Sequence, residues 1–140
     1  MRQQRIGIIM HGVTGRMGMN QHLIRSVLAI RDQGGMALAD GSYLVPDPII
    51  VGRSADKIEA LAKAHGVERF TTDLDAALAN PDDTIFFDAA STQMRPGLLK
   101  KAIDAGKHVY SEKPVSESLQ DAVDIAKHAK AAGVKNGIVH

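Results

Sequence analysis

A glycine-rich turn near the start of the chain has the composition of a loop that binds phosphate groups. It follows a short apolar run at residues 5–10, and it reads His11-Gly12-Val13-Thr14-Gly15-Arg16-Met17-Gly18. Glycines allow the backbone to approach a pyrophosphate, whose charge then lies against the free N–H groups at the positive end of the next helix. A strand before the turn and a helix after it are the context that such a motif requires. We predict that a dinucleotide binds along this turn and that Gly18 lets the helix pack close to the strand. A glycine-rich turn without a ligand is the alternative.

The residues after the second predicted strand bear on which dinucleotide binds. NAD-binding domains place a carboxylate there to accept hydrogen bonds from the ribose 2′-hydroxyl. In this chain residues 49–51 are followed by Gly52, Arg53 and Ser54. Arg53 can pair with a 2′-phosphate, and the Ser54 hydroxyl can donate a hydrogen bond to it. We therefore predict NADP rather than NAD.

Two alternatives stay open for this segment. If the second strand is instead residues 35–38, Asp40 becomes the ribose ligand and the prediction changes to NAD. In the other alternative, Ser54 only caps a helix and Arg53 is a solvated surface residue.

Two later loops end in residues that could line a ligand site. The run at residues 84–88 is followed by Ala90, Ser91 and Thr92, which leave room and offer hydroxyl groups at the carboxyl end of a strand. The next predicted strand ends in Glu112-Lys113-Pro114. Taken alone, this tripeptide is uninformative, because an exposed lysine after a strand is usually solvated.

The elements that position these loops follow from a recurring junction. Gly66, Gly106 and Gly133 each stand between an alanine-rich amphipathic run and a β-prone stretch, where glycine closes a helix in the left-handed conformation. Ser54 and Ser118 are predicted to cap the starts of the second helix and the last helix. Apolar runs predict strands at 5–10, 48–51, 69–71, 84–88, 107–111 and 135–140. This rhythm predicts an α/β fold, a Rossmann-type doubly wound parallel sheet flanked by helices, as one domain over residues 1–140. Residues 33–47 are expected to form an inserted loop or short hairpin of unassigned function.

Composition excludes several classes of protein. The 140 residues carry 17 Lys and Arg against 16 Asp and Glu, so no charge pattern favours nucleic acid or an anionic membrane. Without cysteine, disulfides, thiolate nucleophiles and Cys-ligated zinc are excluded. No apolar run approaches the ~20 residues of a membrane span. His22, His65 and His128 lie on helical runs without metal-ligand spacing, and we expect them in ordinary surface or packing roles. We expect a cytoplasmic protein without a metal site.

The motifs together resemble the N-terminal domain of the glucose–fructose oxidoreductase / inositol dehydrogenase (Gfo/Idh/MocA) family. The similarity spans nearly the whole chain, and its most specific part is Ala102-Ile103-Asp104-Ala105-Gly106-Lys107-His108-Val109-Tyr110-Ser111-Glu112-Lys113-Pro114. The resemblance implies hydride transfer between NAD(P) and a hydroxyl carbon of a sugar or polyol. It implies that Lys113 is catalytic beside the nicotinamide, that Glu112 contacts the cofactor side, and that Pro114 fixes the turn, for which a cis peptide bond would serve.

The chain departs from the family pattern at three places. Met10 occupies the place of the first glycine in the turn. Ala90, Ser91 and Arg95 stand where the family has Thr-Pro and a nearby histidine; Arg95 is predicted as a ligand of a phosphate or a carboxylated substrate, with a salt bridge at the helix start as the alternative. Finally, the chain stops where the family's substrate domain begins. We therefore expect these residues to be the nucleotide-binding part of a longer enzyme that forms homo-oligomers.

Three rival functions stay open at this point. The turn also resembles that of dihydrodipicolinate reductase, although the Glu-Lys-Pro sequence disfavours this. The chain could instead be a stand-alone NADP(H) sensor without catalysis. The last alternative is a Rossmann domain that binds no ligand.

Overall fold

The sheet that organises the molecule has the strand order of a doubly wound fold. The computed structural model describes residues 2–139. Their seven strands are β1 (Gln3–His11), β2 (Met36–Ala37), β3 (Tyr43–Val51), β4 (Arg69–Thr71), β5 (Asp83–Asp88), β6 (His108–Ser111) and β7 (Asn136–Ile138). The order is β2-β3-β1-β5-β6-β7, and β4 also pairs with β3. All pairings are parallel except that of β2 with β3. The chain first adds strands on one side of β1 and then on the other, so the strand order reverses at β1, as the Rossmann-type prediction requires.

Five helical segments connect the strands. They are α1 (Gly18–Leu28, extended by an α-helical turn at Ala29–Asp32), α2 (Ala55–Ala64), α3 (Leu74–Ala79), α4 (Arg95–Asp104) and α5 (Leu119–Ala132). The predicted caps are confirmed, since Ser54 accepts from Lys57 N–H and Ser118 accepts from Asp121 N–H. The three helix-closing glycines have φ between +68° and +78°. Local patterns therefore predicted the helix ends well.

The first helix winds differently from the regular α-helix. Residues Gly18–Leu28 form a π-helix, in which hydrogen bonds span five residues. Its buried residues are Gly18, Leu23 and Leu28, which stand five residues apart and so follow the wider turn. The apolar stripe at residues 23–28 indicates a helix in this place but does not distinguish the two windings.

The inserted stretch at residues 33–47 forms a short hairpin, which is one of the two forms predicted for it. Strand β2 pairs antiparallel with the start of β3, and β3 begins at Tyr43 rather than at the predicted Pro48. Pro46 and Pro48 lie inside β3, opposite Ile6 and Ile8 of β1. Tyr43 N–H donates towards β1, to Arg2 O. Successive backbone N–H groups point to opposite sides of a strand. The nitrogens of Pro46 and Pro48 therefore point away from β1, to the side of β3 that is open between β2 and β4. A missing N–H there costs no sheet hydrogen bond.

Each face of the sheet is covered by its own apolar core. Helices α1 and α2 pack on one face, where Met10, Leu23, Ile50 and Ile58 are almost fully buried. Helices α3, α4 and α5 cover the other face around residues such as Ile9, Phe86, Leu99, Ile103 and Ile125. Successive residues of β1 and β3 point to opposite faces, which explains the continuous apolar runs of these strands.

Buried charge at the amino-terminal edge of the sheet ties four strands together. The Asp83 side chain is fully buried; it accepts from Arg69 at 2.8 and 2.9 Å and from Arg5 at 3.0 Å. Burial raises the pKa of Asp83, but hydrogen bonds from Arg69 and Arg5 outweigh it, and the net shift is downward. Arg5 and Arg69 both also contact Asp47.

We expect Asp83→Asn to lower the free energy of unfolding by about 2 kcal/mol at pH 7, because it removes the buried carboxylate to which Arg69 and Arg5 donate and leaves Asp47 as their remaining charged partner. The lowered pKa means that the carboxylate stabilises the fold above its unfolded pKa of about 4, and that this stabilisation is lost as pH falls through the folded pKa. Urea unfolding at pH 7 and at lower pH should therefore show the difference between wild type and variant shrinking in acid. The exposed neighbour Asp82→Asn is the control, and equal losses in both variants would contradict the assignment.

Candidate functional site

A cleft opens at the carboxyl-terminal edge of the sheet, where β1 lies between β3 and β5. Its volume is about 440 Å³, within the usual range of ligand sites. We call it the switch-point cleft, because ligands of open α/β sheets bind where the strand order reverses. It is lined by His11, Gly12, Thr14, Gly15, Gly52, Arg53, Ala89, Ala90, Ser91 and Met94.

The glycines of the turn are required by close backbone contacts. Gly12 has φ +79°, and a Cβ placed on it would lie 2.3 Å from Ala90 N. A Cβ on Gly18 would lie 2.6 Å from Gly12 O and 3.1 Å from Ala89 Cβ. The turn therefore packs directly against the loop that follows β5. Gly18 does allow a close approach, but its nearest neighbours belong to the turn and to this loop rather than to the strand that was predicted. The nearest atom to a Cβ on Gly15 is 3.7 Å away, so that position is open.

The start of α1 supplies backbone donors beside the cleft. The first helical hydrogen bond runs from Met19 N–H to Gly15 O at 2.9 Å. The N–H groups between these two residues are those that a helix start leaves free. Arg16 and Met17 are exposed there, whereas the Val13 side chain is fully buried in the core and leaves only its backbone to a ligand. Free N–H groups at a helix start, with open space at Gly15, fit a pyrophosphate.

Arg53 lies in the lining of the cleft and is exposed. Ser54 beside it accepts the Lys57 N–H bond as the cap of α2. The alternative that used Asp40 is wrong, because the second parallel strand is Tyr43–Val51 and not residues 35–38. Asp40 lies at the opposite edge of the sheet, where it pairs with Arg2 at 2.6 Å.

A buried chain of polar contacts lies behind the cleft. Asp88, at the end of β5, accepts from His11 Nδ1 at 2.9 Å and pairs with Arg95 Nε at 2.9 Å. His11 Nδ1 must carry its proton to make this bond, so its Nε2 is the nitrogen left for other partners. Arg95 is 2% exposed and forms the ion pair at the helix start that was the alternative to ligand binding. Its guanidinium is buried and bonds Ala90 O in the loop that follows β5, so it is not exposed to a ligand in the cleft.

The Lys113 turn (residues 112–114) follows β6 at the same edge. Glu112 N–H donates to Asp88 O at 2.9 Å, which joins the turn to the end of β5. The Glu112 carboxylate pairs with His22 Nε2 at 2.5 Å, and its other oxygen accepts Lys113 N–H at 3.1 Å. The Lys113–Pro114 peptide is cis, as anticipated, and the Lys113 side chain is exposed.

The predicted site residues fall into two groups. Seven of them line the switch-point cleft: His11, Gly12, Thr14, Gly15, Arg53, Ala90 and Ser91. The rest lie around the cleft, in the core or in the Lys113 turn: Val13, Arg16, Met17, Ser54, Thr92, Arg95, Glu112 and Lys113. Thr92 is half-buried, and its carbonyl accepts Arg95 N–H in the first turn of α4.

Three observations were missed by the sequence analysis. Gly52, Ala89 and Met94 also line the cleft, and no chemical character marks them in the sequence. His22 was expected in an ordinary surface or packing role but pairs with Glu112. Asp88 was treated as the end of a strand and is instead a buried acceptor. Across residues 2–139, no three His, Asp or Glu side chains converge as a metal site would need. The helices in this part of the chain are also too short or too polar to cross a membrane.

The fold and the site together define a dinucleotide-binding domain of the Rossmann class. A more specific assignment comes from comparison with known families. Residues 6–140 match the family model GFO_IDH_MocA, described as "Oxidoreductase family, NAD-binding Rossmann fold", and the chain therefore belongs to this family. The predicted family resemblance is confirmed.

Individual relatives are sugar dehydrogenases and related oxidoreductases. The chain is 48% identical over 135 residues to D-xylose dehydrogenase of Paenarthrobacter nicotinovorans, covering 96% of this chain and 35% of that protein. It is 25% identical to the WlbA dehydrogenase of Bordetella pertussis, solved with NADH and UDP-GlcNAcA, with a TM-score of 0.70 over 99% of this chain and 35% of the other. Levoglucosan dehydrogenase, solved with NADH and levoglucosan, shares the fold at a TM-score of 0.78 and 18% identity, over 96% of this chain and 35% of that one. The chain thus spans about a third of the length of these proteins.

Proposed function

We propose that this chain is the nucleotide-binding part of an oxidoreductase that transfers hydride between NADP and a hydroxyl carbon of a sugar or polyol. The observation that carries the proposal is the placement of the Lys113 turn. Its Glu112 N–H is bonded to Asp88 O, at the end of the strand whose following loop lines the switch-point cleft. A cationic side chain thereby stands at the same edge of the sheet as the phosphate-binding turn.

The residues of the cleft support a dinucleotide with a 2′-phosphate. The N–H groups at the start of α1 would hold the pyrophosphate. Arg53 would pair with the 2′-phosphate, and no carboxylate lies among the residues that line the cleft within the described part of the chain. Ser54 keeps its hydroxyl hydrogen free to donate while its oxygen caps α2.

Lys113 is the proposed catalytic residue for the hydroxyl group of the substrate. When NADP+ is bound, it supplies the acceptor for the hydride that leaves the carbinol carbon. The hydroxyl proton would pass to a base in the completed substrate pocket or to water, because an ammonium group cannot accept it. The Lys113 ammonium would hold the oxygen and stabilise its developing negative charge. The neighbouring Glu112 carboxylate is bonded to His22 and to the Lys113 backbone N–H.

The substrate class follows from the relatives. The 48% identity to a D-xylose dehydrogenase favours an aldose, and a small-molecule sugar or polyol is the partner we propose. Because the chain spans about a third of that protein, we propose that residues outside these 140 complete the substrate pocket.

The test is a steady-state assay of the whole protein that follows reduced nicotinamide at 340 nm. D-xylose, other aldoses and polyols would each be offered with NADP+ or NAD+. The proposal expects turnover of at least one sugar or polyol, with a higher kcat/KM for NADP+. Nucleotide binding without turnover of any of them would instead favour a sensor, and a preference for NAD+ would overturn the assignment of Arg53.

A further inference from the structure

Arg95 joins three separate parts of the candidate site. Its Nε pairs with Asp88 Oδ2 at 2.9 Å, Nη2 donates to Ala90 O at 2.6 Å, and Nη1 donates to Pro114 O at 2.5 Å. Ala90 belongs to the lining of the switch-point cleft, and Pro114 closes the Lys113 turn. From this arrangement we infer that Arg95 is a positioning residue that holds Lys113 at a fixed place relative to the bound nucleotide. The inference rests on the proposed function.

The anchor of this arrangement is the Asp88 carboxylate. Its side chain is fully buried, and besides Arg95 it accepts from His11 Nδ1 at 2.9 Å and Ala90 N–H at 3.2 Å. Four donors, counting the bond from Glu112 N–H to the Asp88 backbone oxygen, thus converge on one residue. The end of β5 therefore holds both the lining of the switch-point cleft and the Lys113 turn.

Stability alone does not account for a buried guanidinium here. Moving an ion pair out of water costs about as much as its attraction returns, and apolar pairs of similar volume often stabilise a protein as well or better. What an apolar pair cannot do is bond two carbonyl groups of different loops. The planar guanidinium presents donors in several fixed directions, whereas a lysine presents one nitrogen. The contacts of Arg95 use this property.

The Lys113 turn is held from two helices. Arg95 of α4 bonds the carbonyl of Pro114, and His22 of α1 bonds the side chain of Glu112. Lys113 stands between these two tethered residues, and its own side chain is exposed. A turn fixed in this way holds the backbone of Lys113 at one place, so the amine reaches only what its own four-carbon side chain can span from there, and the proposed catalytic role needs that fixed origin.

The first test is the variant Arg95→Lys, which keeps the charge beside Asp88 but cannot reach both carbonyl groups. Hydrogen exchange read by mass spectrometry on peptides that span residues 112–118 should show the bonded amides of Glu112 and Lys113 exchanging about tenfold faster, while α5 and the strands keep their wild-type rates. Arg31→Lys is the matched control, since Arg31 also bonds two backbone carbonyls, those of His65 and Gly66, at the opposite edge of the sheet. If Arg95→Lys destabilises the whole fold, the paired variant Asp88→Asn with Arg95→Gln removes both charges together and serves the same measurement.

The second test is kinetic and uses the whole enzyme. In Arg95→Lys we expect kcat to fall by about 10- to 100-fold while the nucleotide Kd changes little, because a small displacement of a catalytic group is costly. In a Lys113→Met background the same substitution should cost little more, since it acts through the lysine. Losses that multiply in the double variant, or unchanged exchange at residues 112–118, would overturn the inference.

The two proposals fail in different ways. A wild-type protein that turns over no sugar or polyol overturns the proposed function. The exchange measurement needs no substrate, so it still decides whether Arg95 holds the turn. Turnover that depends on Lys113 but not on Arg95 overturns the inference alone.

Discussion

Replacing Lys113 with methionine should lower kcat of the whole enzyme by about 10³-fold, with a small change in the nucleotide Kd. Methionine keeps the length of the side chain and removes the ammonium group. If Lys113 stabilises the charge that develops on the substrate oxygen, its loss acts on the transition state rather than on nucleotide binding. Steady-state kinetics with NADP+ and the best sugar substrate, beside a titration with NADPH, separate the two effects.

The control for this variant is Lys127→Met, which removes an exposed lysine from α5, a helix that contributes no residue to the lining of the switch-point cleft. It should leave both constants unchanged. A Lys113→Met enzyme that keeps more than about a tenth of the wild-type kcat would contradict the catalytic role, because the loss of a group that stabilises a developing oxyanion typically costs at least about 10²-fold.

Gly12→Ala should lower the free energy of unfolding by about 3 kcal/mol and weaken nucleotide binding together. The reason is both conformational and steric. Gly12 has φ +79°, and the added methyl would lie 2.3 Å from Ala90 N and 2.5 Å from Ala89 C, which are backbone atoms. The turn and the loop after β5 would have to separate, and both line the switch-point cleft.

Gly97→Ala provides a control of the opposite sign. Gly97 lies inside α4, and apart from its chain neighbours and the backbone of its own helix no atom lies within 4 Å of the place where its Cβ would be. Alanine there should raise stability by about 0.5–1 kcal/mol through helix propensity and leave nucleotide binding unchanged. Thermal unfolding and NADPH titration of the two variants test the contrast. A Gly12→Ala protein as stable as wild type would show that the turn can move away from Ala90 at little cost.

Much of the fold could be predicted because its signals are local. The caps at Ser54 and Ser118, the helix-closing glycines and the apolar runs each depend on a few adjacent residues, and each was found in place. The start of β3 was predicted too late because Pro46 and Pro48 argue against a strand when its neighbours are unknown. They are tolerated because one side of β3 is open there. The helix α3 was not predicted, since six residues give too short a pattern.

The candidate site was likewise predictable in part from the sequence. The turn at Gly12 and the position of Arg53 follow from sequence motifs and from strand order. The contacts behind them join residues far apart in the chain: 77 positions separate His11 from Asp88, and 90 separate His22 from Glu112. No periodicity or motif relates such pairs. His11 and Asp88 meet because parallel strands place their carboxyl ends side by side, and His22 meets Glu112 because α1 packs beside that edge of the sheet. Arg95 could be noted as a departure from the family pattern, but its three partners could not be named.

The most direct test of the account is a titration of the protein with NADPH and NADH, followed by the fluorescence of the reduced nicotinamide, for wild type and Arg53→Ala. Arg25→Ala, an exposed arginine of α1 that is not part of the cleft lining, is the matched control. The account predicts tighter binding of NADPH than of NADH by wild type and Arg25→Ala, and the loss of that preference in Arg53→Ala alone. Equal binding of both nucleotides by wild type, or a preference for NADPH that survives in Arg53→Ala, would contradict a 2′-phosphate site at Arg53.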